Sequence, residues 1–498
     1  MKYISKIILA LVFPLMMVSC GEEYLETESG TNVSAGKIEN SIQGAEAIMN
    51  GVYRKLFSNF ASKPTGQGIL SMTWRYDMRC EDIAFKRNSW GYYMDYKLWY
   101  AGELWGTTNE NWSFYYNIIL NCNKVMDNVE NFKTEDDYKY VKAQAETMRS
   151  WAYFYLVRLY QQTYKGNEDK LGVILRKAGT YDALPRSTVQ ECYDFIETEL
   201  LDAEKLLDGL SRKHKSHVNQ NVVQGLLARV YLTQERWSDA ASYAKKARSN
   251  SSLMSTEDYT AGFNSIKNNE WIWGLEIVSD EAKSWHSHYT VITTNLQADG
   301  TALNYNKYDM YYGINEDLYA KMDDNDVRKT LFNPTDARFP YLHSKWQIKS
   351  NFMGDFALMR GAEMLLIEAE ADSHIAAKVT DAQNLLKELR VSRAIDAAAV
   401  ADVAKTGQDL TDEILLERRI ELWGEGFRWF DIKRTTGKMV RNVNQFQNPA
   451  YSTGISDAMM YINPGSSLWA MQVPKKEFEA NDALNHDTDQ NPEPPRGL

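Results

Sequence analysis

The stretch ARVYLTQERWSDAASYAKKA, residues 228–247, decides the fold of this 498-residue chain. Its small residues alternate with one aromatic residue in the spacing Ala228-x2-Tyr231-x8-Ala240-x3-Ala244-x2-Ala247. Small side chains at helical intervals let two paired helices approach closely. The spacing therefore predicts two helices joined by a turn at residues 235–238.

The same helical periodicity recurs on both sides of this hairpin. Ala382-x3-Leu386-x2-Leu389 repeats its second half after a helix predicted at about residues 359–373, and residues 141–159 carry an apolar stripe along one helix face. The repeat matches the tetratricopeptide helix hairpin. Further helices are predicted over residues 40–58, 110–130, 189–208 and 411–425, and Ser187 or Thr188 can cap the third of these. The predicted fold class is mostly α, a scaffold of tetratricopeptide-like helical hairpins.

Residues 255–355 break this pattern, because Asn, Gly, Asp and aromatic residues are dense there and periodicity is poor. Residues 271–273 and 289–294 predict short strands within a loop-rich insertion. Functional sites are often found on such loops. The C-terminal tail, with its five prolines from Pro464 to Pro495, is predicted to lack helix and to wrap the surface of the body.

The N-terminus predicts a lipoprotein signal peptide over residues 1–19. Lys2 and Lys6 precede an apolar run over residues 7–17, which is too short to span a membrane, and Cys20 follows small residues. Cys20 would then be the acylated first residue of the mature chain; the alternative is an ordinary secretory signal that ends near a cysteine. Acidic residues 20–35 predict a flexible tether, and residues 36–498 a single α-helical domain.

The net charge and the cysteine content limit which partners the chain can bind and how many disulfides it can form. The net charge is −11 before removal of the two N-terminal lysines, which disfavours nucleic acid and anionic surfaces as partners. Beyond Cys20 there remain Cys80, Cys122 and Cys192, so at most one disulfide can form, and packing of three free thiols is the simpler interpretation.

Several motifs together resemble the SusD/RagB family of outer-membrane nutrient-binding lipoproteins. They are Arg360-Gly-Ala-Glu363-Met-Leu-Leu-Ile-Glu-Ala-Glu370-Ala371, Leu386-Lys-Glu-Leu-Arg390-Val-Ser-Arg393, the block from Glu417 to Arg434, Gln472-Val-Pro474-x2-Glu477 and Gln490-Asn491-Pro492. The resemblance implies a non-enzymatic, surface-exposed protein, attached to the outer membrane through a lipid anchor. Such proteins sit over a SusC-like TonB-dependent barrel and deliver glycans to it, or peptides in RagB-like members.

The charged block from Glu417 to Arg434 invites a catalytic interpretation, but pairing at i,i+3 and i,i+4 along a helix accounts for its charges. The sequence carries no Gly-x-Ser-x-Gly elbow, no His-Glu-x-x-His and no phosphate-binding loop. The pairs His214-x2-His217 and His286-x-His288 lack neighbouring ligands, so we predict solvated histidines with no metal, no cofactor and no catalytic residue. The rival functions are a surface glycan hydrolase and a scaffold that binds only protein.

Aromatic residues are the stronger indication of ligand binding, because sugars stack their C–H faces on Trp and Tyr rings. The 14 Trp and 30 Tyr include two clusters in poorly periodic segments: Trp74, Arg75, Asp77, Trp90, Tyr92, Tyr93 and Trp99, and Trp285, Tyr289, Tyr305, Tyr308, Tyr311 and Tyr312. From these we predict ligand contacts at Trp74, Arg75, Trp90, Tyr93, Trp99, Trp285 and Tyr289. The alternative is that the rings pack in the core, as we expect for Trp99, Trp105, Trp112, Tyr115 and Tyr116.

Overall fold

The computed structural model describes residues 41–58, 68–85, 101–134, 136–278, 289, 292–293, 311–337, 339–349, 354–441 and 460–494. Within these ranges the chain is mostly helical, as predicted. The longer helices are α1 (Ile42–Lys55), α2 (Gly68–Met78), α3 (Gly106–Val129), α4 (Tyr138–Tyr160), α5 (Val189–Leu206), α6 (Gln220–Thr233) and α7 (Trp237–Ala247). After the short α8 (Thr256–Thr260) and α9 (Glu316–Tyr319) come α10 (Gly361–Ser373), α11 (Val379–Arg393), α12 (Gly407–Glu421) and α13 (Arg428–Arg434).

Consecutive helices pack against one another as hairpins. Helix α3 packs on α4, α4 on α5, α5 on α6 and α6 on α7, while α10 packs on α7, α11 and α12. Ala228, Ala240 and Ala244 are fully buried, and Glu235 adopts a left-handed backbone (φ 58°) in the turn between α6 and α7. The hairpin predicted from residues 228–247 is thus confirmed, since its small residues form the contact between the two helices.

Local sequence signals set the helix ends where the caps are visible. Thr188 Oγ1 accepts from the Glu191 backbone N–H at 3.1 Å, and Glu191 Oε2 accepts from the Thr188 N–H at 2.7 Å. This reciprocal capping box starts α5, which selects Thr188 over Ser187 as the cap. Ser41 caps α1 in a similar way: its backbone is extended, and its side-chain oxygen accepts from the Gly44 N–H at 3.0 Å.

Short antiparallel strands form three small sheets in the described part of the chain. β1 (Ile83–Phe85), β3 (Tyr312–Ile314), β5 (Leu342–His343) and β4 (Phe332–Asn333) lie side by side in that order. The other two sheets are two-stranded: β2 (Trp271–Leu275) pairs with β6 (Phe356–Arg360), and β7 (Met439–Val440) pairs with β8 (Tyr461–Ile462). The predicted strand at residues 271–273 is confirmed.

Three expectations are corrected. Of the strand predicted over residues 289–294, the described residues Tyr289 and Ile292 are helical, and the Thr293 N–H donates to the Tyr289 carbonyl at 2.9 Å. The tail contains two short helices, α14 (Lys475–Ala480) and α15 (His486–Asp489), with Pro474 at the cap position, where proline fits. Trp105, expected in the core, is 43% exposed because it precedes the first turn of α3 and lies off its apolar face.

The tail is also more deeply packed than a surface wrap. Asn491 is buried, and its Nδ2 donates to the Tyr160 and Met471 carbonyls. Arg186 Nη1 donates to Asn491 Oδ1 at 3.0 Å. These bonds fasten the end of the described chain to the C-terminus of α4.

Of the four buried apolar clusters among the described residues, the two largest fill most of the interior. The larger one fills the helical scaffold, and Cys80, Cys122 and Cys192 lie inside it as free, buried thiols. The second lies beneath the loop-rich region and is built from Trp74, Trp346, Trp423 and their neighbours. None of the helices in the described ranges combines the length and apolarity needed to cross a bilayer.

Candidate functional site

A buried ion cluster joins the loop-rich region to the C-terminal helices. Arg360 Nη1 donates to Glu421 Oε1 at 2.9 Å and also bonds Glu270, while its other nitrogens reach Glu425 at 2.8 Å. Arg393 bridges the same Glu270 and Glu421 at 2.8–3.1 Å. The cluster consists of five cations and five carboxylates: Glu270, Asp326, Arg328, Lys345, Arg360, Arg390, Arg393, Glu417, Glu421 and Glu425.

Glu421 lies at the centre of this cluster and is fully buried. Burial alone would raise the pKa of its carboxyl, but the guanidinium groups of Arg393, Arg360 and Arg328 hold that pKa well below its usual range. Equal numbers of opposite charges and complete bonding of Glu421 make its burial tolerable. The cluster therefore acts as a clamp between α12 and the loop-rich region.

The clamp corrects the expected source of the charge pairing. Glu417 and Glu421 do not pair along their own helix; they bind Arg328, Arg390, Arg360 and Arg393 from other segments. Their helical neighbours also pair over long range, Arg418 with Asp431 and Arg419 with Asp82. The structural role of the block is as expected. One pair is of the predicted i,i+3 kind, Asp431 with Arg434 at 2.9 Å, but most of the partners are tertiary.

The carboxylates of α10 follow the same rule. Glu363 binds Arg229 of α6 through two bonds of 2.6–2.7 Å. Glu370 binds Arg434 of α13, and Glu368 binds Arg248 at 2.7 Å. These pairs tie α10 to three neighbouring segments.

An open cleft of about 700 Å³ lies between the end of the four-stranded sheet, helix α12 and the β7–β8 hairpin. Ligand pockets commonly have volumes in this range. Its lining combines carboxylates, amides, cations and an aromatic ring: Glu81, Asn315, Asp317, Lys321, Arg419, Thr436, Lys438, Val440, Arg441, Met460 and Tyr461. We call this the hairpin cleft.

One wall of the hairpin cleft is held by two paired arginines. Arg419 Nε donates to Asp82 Oδ1 at 2.6 Å, and Arg428 Nε donates to Glu81 Oε1 at 3.1 Å. Burial would raise the pKa of the Glu81 carboxyl, but Arg428 and Arg419 lower it, so Glu81 is held ionised. Asn315 Nδ2 donates to the Glu81 carbonyl at 2.9 Å and fixes the start of α9 beside this wall.

The β7–β8 hairpin forms the opposite rim. Val440 and Tyr461 are cross-strand partners, and both are about half exposed, at 48% and 52%. Directly opposed residues on one face of a strand pair lie close enough to act as a unit. Arg441, which follows β7, donates its backbone N–H to the Met460 carbonyl at 2.8 Å and is buried. The rim thus offers an aromatic face beside amide, hydroxyl and cationic groups, the combination that binds polyhydroxylated ligands.

Three predicted ligand residues lie in the interior. Trp74 is 1% exposed, and its ring is enclosed by the rings of Tyr312, Trp346 and Trp423 at 5.3–6.0 Å. Tyr289 is also buried, and its hydroxyl bonds the Phe263 and Asp355 carbonyls. These enclosed rings leave no face for a sugar, so their contribution in this structure is to packing.

Arg75 has a similar internal role. It is 5% exposed and donates to Glu110 Oε2 at 2.8 Å and to Thr107 Oγ1 at 2.7 Å. These bonds join α2 to the first turn of α3. The other predicted site residues, Trp90, Tyr93, Trp99 and Trp285, and the predicted lipidation site Cys20 lie outside the described residues.

The histidines expected to be solvated divide into two kinds. His214 is exposed and bonds Glu276 at 2.8 Å, as expected. His217 instead stacks on Tyr53 with ring centroids 4.5 Å apart, and its burial lowers its pKa to about 4. The pair at 286 and 288 lies outside the described residues, and the described ranges contain no His, Cys, Asp and Glu group suited to a metal.

Sequence reasoning missed the hairpin cleft. Val440 and Tyr461 lie on two-residue strands, which are too short to give a periodic signal, and Lys438 directly precedes the first of them. The segments that bring Lys321 and Arg419 beside them are distant in sequence. The only local signal was Gly437, whose φ of +57° marks a tight turn ahead of β7.

Comparisons with known proteins agree with this architecture. Residues 41–232 match a family model described as "Starch-binding associating with outer membrane", and residues 263–493 match the SusD family model. A SusD-like protein of Formosa agariphila is 24% identical over 373 residues, covering 66% of this chain and 72% of its own. A SusD-like protein of Bacteroides ovatus is 21% identical over 475 residues, covering 86% and 82%.

Solved structures extend the similarity to the whole fold. A SusD-like carbohydrate binding protein from Bacteroides vulgatus superposes with a TM-score of 0.76 and 27% identity, over 90% of this chain and 98% of its own. A SusD superfamily protein from Bacteroides thetaiotaomicron gives a TM-score of 0.72 at 22% identity, over 90% and 99%. With both halves matched by family models and the same helical scaffold in solved relatives, this chain belongs to the SusD/RagB family.

Proposed function

We propose that this protein captures glycans at the cell surface and delivers them to a SusC-like TonB-dependent barrel in the outer membrane. The observation that carries the proposal is the similarity, over 90% of the chain, to a solved SusD-like carbohydrate binding protein. The hairpin cleft supports it by offering an exposed tyrosine face beside hydrogen-bonding groups. In this proposal residues 36–498 act as one unit, held to the membrane by a lipid on Cys20.

The proposed ligand contacts outside the described residues are Trp90, Tyr93, Trp99 and Trp285. The register of β1 and β3 relates the segment that carries Trp90, Tyr93 and Trp99 to the aromatic-rich residues 305–310. Phe85 pairs directly with Tyr312, and the chain enters residues 86–100 just after Phe85. The aromatic-rich residues 305–310 end one residue before Tyr311 and two before Tyr312, so both segments are anchored at the same end of one sheet.

Affinity electrophoresis of residues 21–498 through gels that contain single polysaccharides tests the proposal. Trp90→Ala and Trp285→Ala should reduce the retardation by a bound glycan, since a sugar ring stacked on an aromatic side chain contributes of the order of 1 kcal/mol. Tyr181→Ala, which removes an 84% exposed ring from the segment between α4 and α5, is the matched control. Loss of retardation in the control alone would contradict the assignment.

The rival functions give different results in the same preparation. A hydrolase would release reducing sugar ends from the retarding glycan; we expect none. A RagB-like protein would bind peptides but no glycan, and a scaffold would bind neither. Barrel delivery is tested separately by co-purification of a SusC-like barrel with the full chain from outer membranes, and anchoring by the loss of membrane association in Cys20→Ala.

A further inference from the structure

The hairpin cleft carries a positive excess on an acidic protein. The chain has 67 acidic and 56 basic residues, yet the described lining contains four cations, Lys321, Arg419, Lys438 and Arg441, and two carboxylates. A cleft whose lining has a net positive charge attracts anionic ligands. The local excess therefore opposes the net charge of the molecule.

The carboxylates of this wall are already neutralised. Glu81 is bound by Arg428 and Arg419, and Asp82 by Arg419. Two arginines and two carboxylates thus balance one another within the wall. Outside this group the lining holds three cations, Lys321, Lys438 and Arg441, and one carboxylate, Asp317, so a positive excess remains. Lys321 and Lys438 are exposed and make no ion pair with any other described residue.

The apolar part of the rim lies on the same side as one of these lysines. Lys438 is two residues before Val440, whose cross-strand partner is the half-exposed Tyr461. A ligand that stacks on the Tyr461 ring would lie in the cleft that Lys321 and Lys438 also line. An ammonium on a flexible stem suits a carboxylate or sulfate that carries its charge at a ring substituent.

We infer that the hairpin cleft binds an anionic glycan, one whose sugar rings carry carboxylate or sulfate groups, with Tyr461 as the stacking surface and Lys321 and Lys438 as the charge contacts. This inference rests on the proposed function and specifies its ligand class. It also accounts for the two lysines in the lining of this cleft that pair with no carboxylate in the described part of the chain.

Isothermal titration of the full chain in detergent solution tests the inference. The probes are polygalacturonate and chondroitin sulfate as anionic glycans, and amylopectin and arabinoxylan as neutral ones. Lys321→Gln/Lys438→Gln should weaken binding of the anionic probe by about threefold to thirtyfold, because each exposed charge contact contributes modestly. Raising the salt from 0.05 to 0.5 M should weaken the wild type more than the variant.

Matched control variants distinguish an effect of the cleft lysines from an effect of the protein's overall charge. Lys165→Gln/Lys170→Gln removes two exposed cations elsewhere and should leave the affinity unchanged. Tyr461→Ala should weaken binding without altering its salt dependence. Equal losses in the two lysine variants would overturn the inference in favour of a general charge effect.

The outcomes of the panel also distinguish the two levels of proposal. Binding to a neutral glycan alone, unaffected by the lysine variants, would overturn the anionic ligand class and leave glycan capture standing. Binding to none of the four probes by a folded protein would overturn the inference, and failure across the wider gel panel would overturn the proposed function.

Discussion

Replacing Glu421 by glutamine should destabilise the protein strongly, although the side chain keeps its shape. Glu421 is fully buried and accepts bonds from Arg328, Arg360 and Arg393 at 2.9–3.1 Å. The substitution leaves the ion cluster with five cations and four carboxylates. Removing one partner of a buried ion pair costs about 3–5 kcal/mol, because the remaining charge is uncompensated.

The matched control is Asp381→Asn, which breaks an ion pair in an exposed position. Lys378 and Asp381 form this pair at 2.7 Å, and both side chains are 51% exposed. Such pairs contribute at most about 1 kcal/mol. Urea unfolding followed by tryptophan fluorescence measures both, with the shift in midpoint multiplied by the common slope giving the loss of unfolding free energy.

The pH dependence provides a second, independent measurement. The folded-state pKa of Glu421 is depressed, so its stabilisation is present above its unfolded pKa of about 4.3 and is lost as the pH falls through the folded value. The difference in unfolding free energy between wild type and Glu421→Gln should therefore become smaller as the pH drops below about 4. If the variant loses less than about 1 kcal/mol of unfolding free energy at pH 7, or if its difference from wild type grows in acid, the argument that this carboxylate holds the clamp is refuted.

Three further predictions concern local features. Gly426→Ala should destabilise by about 2 kcal/mol or more in the same urea assay, because φ is +88° and a Cβ would lie 2.8 Å from the Thr73 backbone; Gly51→Ala, with open space around it in α1, should stabilise by about 0.5–1 kcal/mol. Thr188→Ala should cost about 1 kcal/mol through loss of the α5 capping box, and no change would contradict that role. Burial raises the pKa of Glu146 to about 8, so the stability that its protonated form provides is present below the unfolded pKa and is lost as the pH rises. Glu146→Gln should therefore reduce the fall in unfolding free energy between pH 5 and 8. An unchanged pH profile of unfolding would count against this.

The helical scaffold was predictable from the sequence because its signals are local. The stripe over residues 141–159 and the alanines of α6 and α7 each encode a face within a single helix. A cap such as Thr188 is equally local. Such patterns fix an element's type and position without reference to distant residues.

The partners of charged and aromatic residues were not predictable in this way. Trp74 and Tyr312 were grouped in separate clusters as ligand candidates, and the structure does bring their rings together, at 5.3 Å, but inside the core. Exposure depends on what covers a ring, and the covering residues, Trp346 and Trp423, come from segments more than 250 positions away. Residue type alone therefore could not separate stacking surfaces from core rings.

Helix α12 connects the clamp to the hairpin cleft, because its two sides serve different regions. Glu417 and Glu421 face the buried ion cluster, whereas Arg419, between them in sequence, lines the cleft and binds Asp82. The helix that anchors the loop-rich region thus also fixes one wall of the candidate site. We therefore expect the folded Glu421→Gln variant, measured without urea, to bind glycan more weakly than the wild type, although Glu421 does not line the cleft. Equal affinities in wild type and variant, with the variant shown to be destabilised, would mean that the cleft wall is held by the Glu81, Asp82, Arg419 and Arg428 contacts alone.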